Sequence, residues 1–196
     1  MKKIVLTGGP CSGKTTTLAA LRQEFGENIM VVPEVATMLL SSGFPVPGRD
    51  CDWSQEWQDV FQSAIVALQQ SMETAYFLVA KAKGIKMLVC DRGLLDGAAY
   101  TPGGLQEFCA KHGVDENEAL ASYDEVIHLE SLATACPEKY GKVGNDHRFE
   151  PLERAQELER NTRAAWVRHS CHRVISGDCG IDRKISEVVA IVRDLT

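Results

Sequence analysis

Lys3-Ile4-Val5-Leu6-Thr7-Gly8-Gly9-Pro10-Cys11-Ser12-Gly13-Lys14-Thr15-Thr16 is the stretch that decides the fold. Residues 3–7 form a short, largely apolar run, as expected of a strand buried on both faces. Gly8 to Thr15 then satisfies G-x-x-x-x-G-K-[ST] at every position. Residues 14–25 carry Leu18, Leu21 and Phe25 on one side of a predicted helix. A strand, a glycine-rich loop and a helix in that order supply the context that turns a bare pattern into a phosphate-binding loop.

Each residue type there has a physical reason. Gly8 and Gly13 permit backbone angles and a close ligand approach that a side chain would block. The backbone between them can wrap phosphate oxygens in a concave nest. The helix beginning near Lys14 adds the positive end of its dipole. Lys14 places a point charge on the β- and γ-phosphates, and the Thr15 hydroxyl is a magnesium ligand. Gly8, Gly9, Pro10, Cys11, Ser12, Gly13, Lys14, Thr15 and Thr16 are therefore the expected binding set for ATP, with Mg2+ as its companion ion. Cys11 admits two readings. A helix N-terminus lowers a thiol's pKa, so its oxidation could block nucleotide binding; equally, the position tolerates any small residue.

Outward from this loop the chain alternates strand-like and helix-like segments, which predicts an α/β fold. Further strands are expected at residues 29–32, 86–90, 126–129 and 172–176, giving a five-stranded parallel sheet with helices on both faces. Asp52 with Gln55 resembles a capping box opening a long helix. Trp53, Trp57, Val60, Phe61, Ala64, Ile65, Leu68, Met72, Ala75, Tyr76 and Val79 keep helical spacing along it. Pro151 suits the first position of a later helix, and Asp182 can cap the last one. One domain over residues 1–196 is expected, with a short polar lid at about residues 131–163.

Composition narrows the function classes. The net charge is −6 and no basic stripe is evident, which argues against nucleic acid as a partner. No apolar run approaches the roughly 20 residues of a membrane helix, so no membrane partner is expected. The apolar part of the N-terminus is too short for a signal peptide and ends at Gly8-Gly9-Pro10, which favours a cytoplasmic protein. The seven cysteines show no C-x-x-C pair. His169, Cys171, His172 and Cys179 are metal-capable, but their spacing fits no usual zinc pattern.

Two acidic positions carry the expected chemistry. Met87-Leu88-Val89-Cys90-Asp91 is an apolar strand ending in a carboxylate. Asp91 should thus stand at the carboxyl edge of the sheet, beside the loop, where it can hold magnesium. Arg92 follows and can bridge the moving phosphoryl group and the acceptor oxygen; a surface ion pair is the simpler alternative. Glu34, after residues 29–32 and Pro33, should reach the same edge. It can take the proton of an attacking hydroxyl, or only stabilise a helix start.

On Gly8 to Thr16, Pro33-Glu34, Asp91-Arg92-Gly93-Leu94-Leu95-Asp96 and Arg148-Phe149-Glu150, the chain resembles the P-loop kinase-like group. That group includes nicotinamide riboside kinase and related AAA-type NTPase domains. Glu34, Phe61-Gln62-Ser63 and Asp91-Arg92 also look similar to motifs of deoxynucleoside kinases, which usually carry Ser where this chain has Gly93. The resemblance implies transfer of the ATP γ-phosphate to a hydroxyl of a small nucleoside-like or vitamin-like acceptor. It casts Glu34 as base and Arg92 as holder of acceptor and phosphate. Gln62 would bond the acceptor's ring, and Trp53, Trp57, Phe61 or Tyr100 would stack on it. Arg148 is implied as the lid arginine, with Arg160 and Arg163 further candidates unless they pair with Glu153, Glu157 and Glu159 along the helix. The alternative is an NTPase whose hydrolysis serves a regulatory partner. A GTP switch is disfavoured by the lack of N-K-x-D, and a full AAA+ motor by length.

Overall fold

A computed structural model of the chain describes residues 1–140, 150–178 and 180–196. Five strands form one sheet: β1 (Lys2–Thr7), β2 (Ile29–Val32), β3 (Met87–Asp91), β4 (Glu125–Leu129) and β5 (His172–Ile175). All pairings are parallel and the order is β2-β3-β1-β4-β5. From β1 the chain goes to the outer strand β2, returns to lay β3 between β2 and β1, then crosses to the other side for β4. Loops at the carboxyl ends separate at such a reversal and leave a crevice there. The helices are α1 (Lys14–Phe25), α2 (Val35–Ser41), α3 (Gln55–Lys83), α4 (Gly104–His112), α5 (Glu116–Ala121), α6 (Leu132–Ala135), α7 (Leu152–Trp166) and α8 (Ile181–Leu195). Leu94–Tyr100 is a 3-10 helix.

Strand alternation sorts the core into two layers. Ile4 and Leu6 of β1, Met87 and Val89 of β3, and Ile127 and Leu129 of β4 pack with α1 and α8. Val5, Cys90 and Val126 point the other way, against α3, α4, α5, α7 and the 3-10 helix. Both faces are covered over β1, β3 and β4, which read as nearly continuous apolar runs, while the edge strand β5 has Arg173 and Val174 exposed. No helix among the described residues is long and apolar enough to cross a membrane.

Several local expectations change. Helix α3 is 29 residues long, about 44 Å at 1.5 Å per residue. The strands it crosses span only about 13–20 Å. Its apolar stripe therefore overhangs the sheet. Trp53, just ahead of it, is 63% exposed, and Val60 and Val79 on it are 56% and 45% exposed. Its cap is Ser54, whose side chain accepts from Trp57 N at 3.0 Å, and not Asp52. Gly180, and not Asp182, stands at the start of α8, where Asp182 supplies first-turn charge. Pro151 sits one residue before α7. Of the expected lid, residues 141–149 lie outside the described residues. Helix α7 is a core helix, with Ala155, Leu158, Thr162, Ala165 and Trp166 buried. It packs chiefly on the 3-10 helix.

The capping assignment is testable. Ser54→Ala should cost about 1 kcal/mol in urea unfolding, and Asp52→Ala nearly nothing.

Candidate functional site

The loop between β1 and α1 is shaped from outside. Pro10 O accepts from Ser131 Oγ, Cys11 O from Leu132 N at 3.4 Å, and Ser12 O from Lys184 Nζ at 3.0 Å. In a trans peptide the N–H points opposite to the C=O. Holding these three carbonyls outward turns the amides of Cys11, Ser12 and Gly13 toward the concave side. The loop needs the left-handed region at Gly13 (φ 92°) and at Cys11 (φ 56°), a strained place for a residue with a side chain. At Gly8 a Cβ would meet Leu129 O at 2.1 Å. Thr17 N closes the first turn of α1 onto Gly13 O at 3.0 Å. The amides of Lys14, Thr15 and Thr16 precede that bond and face the helix start.

Lys14 folds over the loop, donating to Gly8 O (2.7 Å), Gly9 O (3.1 Å) and Ser12 Oγ (3.1 Å). Burial, and then the Arg92 charge, lower it to about 8. Burial raises the Cys11 thiol and outweighs the pull of Lys14.

The acids cluster where the sheet order places them. Asp91 lies beside Leu6 in the β1–β3 register. Its Oδ1 is buried with no hydrogen-bond partner among the described residues. Burial first, and then Glu34, push its carboxyl up to about 6 despite Lys14 and Arg92. An orphaned carboxylate oxygen beside a lysine at a phosphate loop suits a hard cation. Thr15, the other residue expected to meet magnesium, is exposed at the start of α1.

Glu34 Oε1 accepts from Arg92 Nε at 2.7 Å, and Oε2 accepts from Thr37 Oγ1. Burial opposes ionisation of Glu34, but Arg92 and the Thr37 bond outweigh it and hold the carboxyl at about 2. Arg92 itself has φ 70°. Its Nη1 reaches Gly8 O and Asp96 Oδ2, each at 3.4 Å. The structure thus brings together Lys14, Glu34, Asp91 and Arg92. Tyr100 joins them: burial raises its hydroxyl pKa, and Arg92 opposes this.

The aromatic expectations divide. Trp57 and Phe61 stack on each other at 5.0 Å, with Phe44 at 5.1 Å from Phe61. Trp53 stands in solvent. Gln62 is buried, and its Oε1 has no partner among the described residues. Arg148 lies outside the described residues. Arg160 and Arg163 are exposed. Among the described residues the alternative ion pairs of Arg160 and Arg163 with Glu153, Glu157 or Glu159 are not seen, and Glu157 takes Arg154 at 2.7 Å. His169 spends its ring nitrogens on Tyr123 O and Cys171 N, at 2.9 and 3.1 Å. No group of three or more metal-capable side chains occurs among the described residues.

Two residues near the loop escaped the sequence reading. Glu159 of α7 accepts from Gly9 N at 2.7 Å and meets His128 Nε2 at 2.6 Å, all three buried. Asp96 accepts from Thr7 Oγ1 at 2.7 Å and Trp166 Nε1 at 2.6 Å. The signal available was a lone acid in an apolar context: Asp96 within Leu94-Leu95-Asp96-Gly97-Ala98-Ala99, and Glu159 on the buried stripe of α7.

Fold and site together define the class, an α/β protein of the P-loop kinase-like type. Residues 3–183 match the family described as an AAA domain, and the chain belongs to it. No curated protein matches the chain. Among solved structures it is similar to deoxyadenosine kinase from M. mycoides, determined with products dCMP and a flexible dCDP bound. The TM-score is 0.64, over 98% of this chain and 99% of that one, at 16% identity. Such a likeness establishes the shared fold.

The departure at Gly93 has a packing cause. A Cβ there would meet the Trp166 ring at 2.7 Å and Val5 Cγ2 at 2.8 Å. Gly93→Ser should destabilise by about 1–3 kcal/mol in urea unfolding through overpacking. In a Trp166→Leu background the same change should cost less than half as much.

A second prediction concerns pH. The folded protein holds the Asp91 proton more tightly than an unfolded chain, so this group's contribution is fully present below about pH 4. It is lost as pH rises through about 6. Above pH 7, without nucleotide or divalent ion, Asp91→Asn should be more stable than wild type by on the order of 2 kcal/mol. The advantage should vanish near pH 4. Chemical unfolding at several pH values reads it directly.

Proposed function

We propose that the chain is an ATP-dependent phosphotransferase, moving the γ-phosphoryl group to a hydroxyl of a nucleoside-like or vitamin-like acceptor. The observation that carries this reading is the Glu34–Arg92 pair at 2.7 Å beside the phosphate loop. A pure hydrolase needs only to orient water. A carboxylate and a guanidinium joined at the loop mouth form a station for an acceptor hydroxyl and the phosphoryl group it attacks. The family membership and the kinase-like fold support the same reading.

In this proposal the amides of Cys11 to Thr16 and Lys14 hold the β- and γ-phosphates. Asp91 and Thr15 would hold Mg2+, which would supply charge neutralisation for the transfer. Glu34 orients the acceptor hydroxyl and takes its proton. A carboxyl at about 2 is a weak base, but a loose phosphoryl transition state asks for orientation more than for early proton removal. Arg92 meets the equatorial oxygens of the moving phosphoryl group while Glu34 turns to the acceptor. Arg148 is proposed as a further phosphate contact. Trp57, Phe61 and Gln62 are proposed for the acceptor's ring. A buried amide oxygen without a partner costs about 1–3 kcal/mol, which a ring N–H would offset. One domain with a short lid, acting on a nucleoside triphosphate and a small molecule in the cytoplasm, completes the reading.

The test is an ADP-release screen with nucleosides, nucleotides and vitamin precursors, with product mass measured. A phosphorylated acceptor in equal amount to ADP is expected. Release of free phosphate alone, stimulated by a protein partner, would establish the hydrolase alternative instead. Glu34→Gln should lower kcat by about 10²–10⁴ and leave ATP binding intact. Unchanged turnover in that variant removes Glu34 from the mechanism. Lys14→Ala should cripple either activity.

A further inference from the structure

Arg92 occupies a costly position. Left-handed backbone in a long side chain is rare and strained by about 1–2 kcal/mol, and surrounding contacts must hold it. Arg92 N donates to Leu6 O at 3.1 Å, and Arg92 O accepts from Gln69 Nε2 at 3.3 Å. Those bonds fix the main chain. The guanidinium needs a charged support besides Glu34, because the carbonyl of Gly8, another of its partners, carries no charge.

Asp96 supplies that support. It is 3% exposed. Oδ1 accepts from Trp166 Nε1 at 2.6 Å. Oδ2 accepts from Thr7 Oγ1 at 2.7 Å and from Arg92 Nη1 at 3.4 Å. Thr7 directly precedes Gly8, whose carbonyl meets the same Nη1 at 3.4 Å. A buried carboxylate is costly unless it is bonded and paired. Here two neutral donors lock its plane, and its charge faces the arginine.

We propose that Asp96 is the positioning residue of Arg92. It acts as a fixed counter-charge that ties the guanidinium to the root of the phosphate loop while Glu34 turns to an acceptor. Asp96 touches no substrate; it acts through Arg92. Thr7 and Trp166 hold the carboxylate in place, so the device spans β1, the 3-10 helix and α7. The inference rests on the role given to Arg92 above, but not on the identity of the acceptor.

A double-mutant cycle tests it. Asp96→Asn keeps the shape and loses the charge. It is expected to lower kcat 10- to 100-fold with the ATP KM changed less than 3-fold. In an Arg92→Lys background the same change should cost less than 2-fold, because there is no guanidinium left to position. Equal losses in both backgrounds overturn the proposal. Should Asp96→Asn fail to fold, Thr7→Val replaces it in the cycle, and Thr7→Ser, which keeps the hydroxyl, should restore turnover. The cycle can be read on transfer or on ATP hydrolysis, so a missing acceptor does not decide it. A ligand-free readout separates the two ideas further. The Arg92 Nη1–H signal in nitrogen-resolved NMR, the group that meets Asp96, should move toward that of free arginine in Asp96→Asn. An unmoved signal contradicts Asp96 positioning whatever the enzyme's reaction.

Discussion

Three main-chain carbonyls pulled outward set the whole site. Ser131, Leu132 and Lys184 hold Pro10 O, Cys11 O and Ser12 O. Their hold turns consecutive amides toward one point. Everything nearby answers to that concentration of positive potential. Lys14 lies over the loop, burial drives its pKa down, and acids gather opposite. A phosphate chain would supply the anion that this geometry is built around. The strained angle at Cys11 fits the same picture, since such strain persists where surroundings over-determine the backbone.

The acidic side is arranged by topology. Strand order places β3 next to β1 and β2 next to β3, so Glu34 and Asp91 converge although 57 positions separate them. Their environments then push them apart. Arg92 and Thr37 hold Glu34 ionised, while burial and the neighbouring Glu34 charge make Asp91 reluctant to ionise. Two carboxylates with opposite shifts are a usual mark of a division of labour. The cost is stability, since an ionised Asp91 without a cation is an uncompensated charge.

Much of this was legible in the chain. Apolar runs located all five strands to within a residue or so, because a sheet covered on both faces leaves that trace. The loop motif, Glu34, Asp91 and Arg92 were legible because each stands at a strand end. Less was visible wherever partners are distant. Asp96 bonds residues 89 and 70 positions away, and Glu159 bonds one 150 away; no local period carries such a pairing. Gly93 could be noticed but not explained, since its reason is the ring of Trp166. The cap at Ser54 was missed because Trp57, not Glu or Gln, stands three residues on. The stripe on α3 overstated burial because spacing shows which side of a helix is apolar, not how far the sheet extends beneath it.

The central claim is that one polyphosphate sits in the loop with Asp91 and Arg92 on opposite sides of its end. A crystal structure with magnesium and a non-hydrolysable ATP analogue measures this directly. The account predicts the β-phosphate among the amides of Cys11 to Thr15, the metal between Thr15 and Asp91, and Arg92 against the γ-phosphate. Phosphates bound elsewhere, or an Asp91 carboxylate turned from Thr15 with the analogue in place, would contradict it.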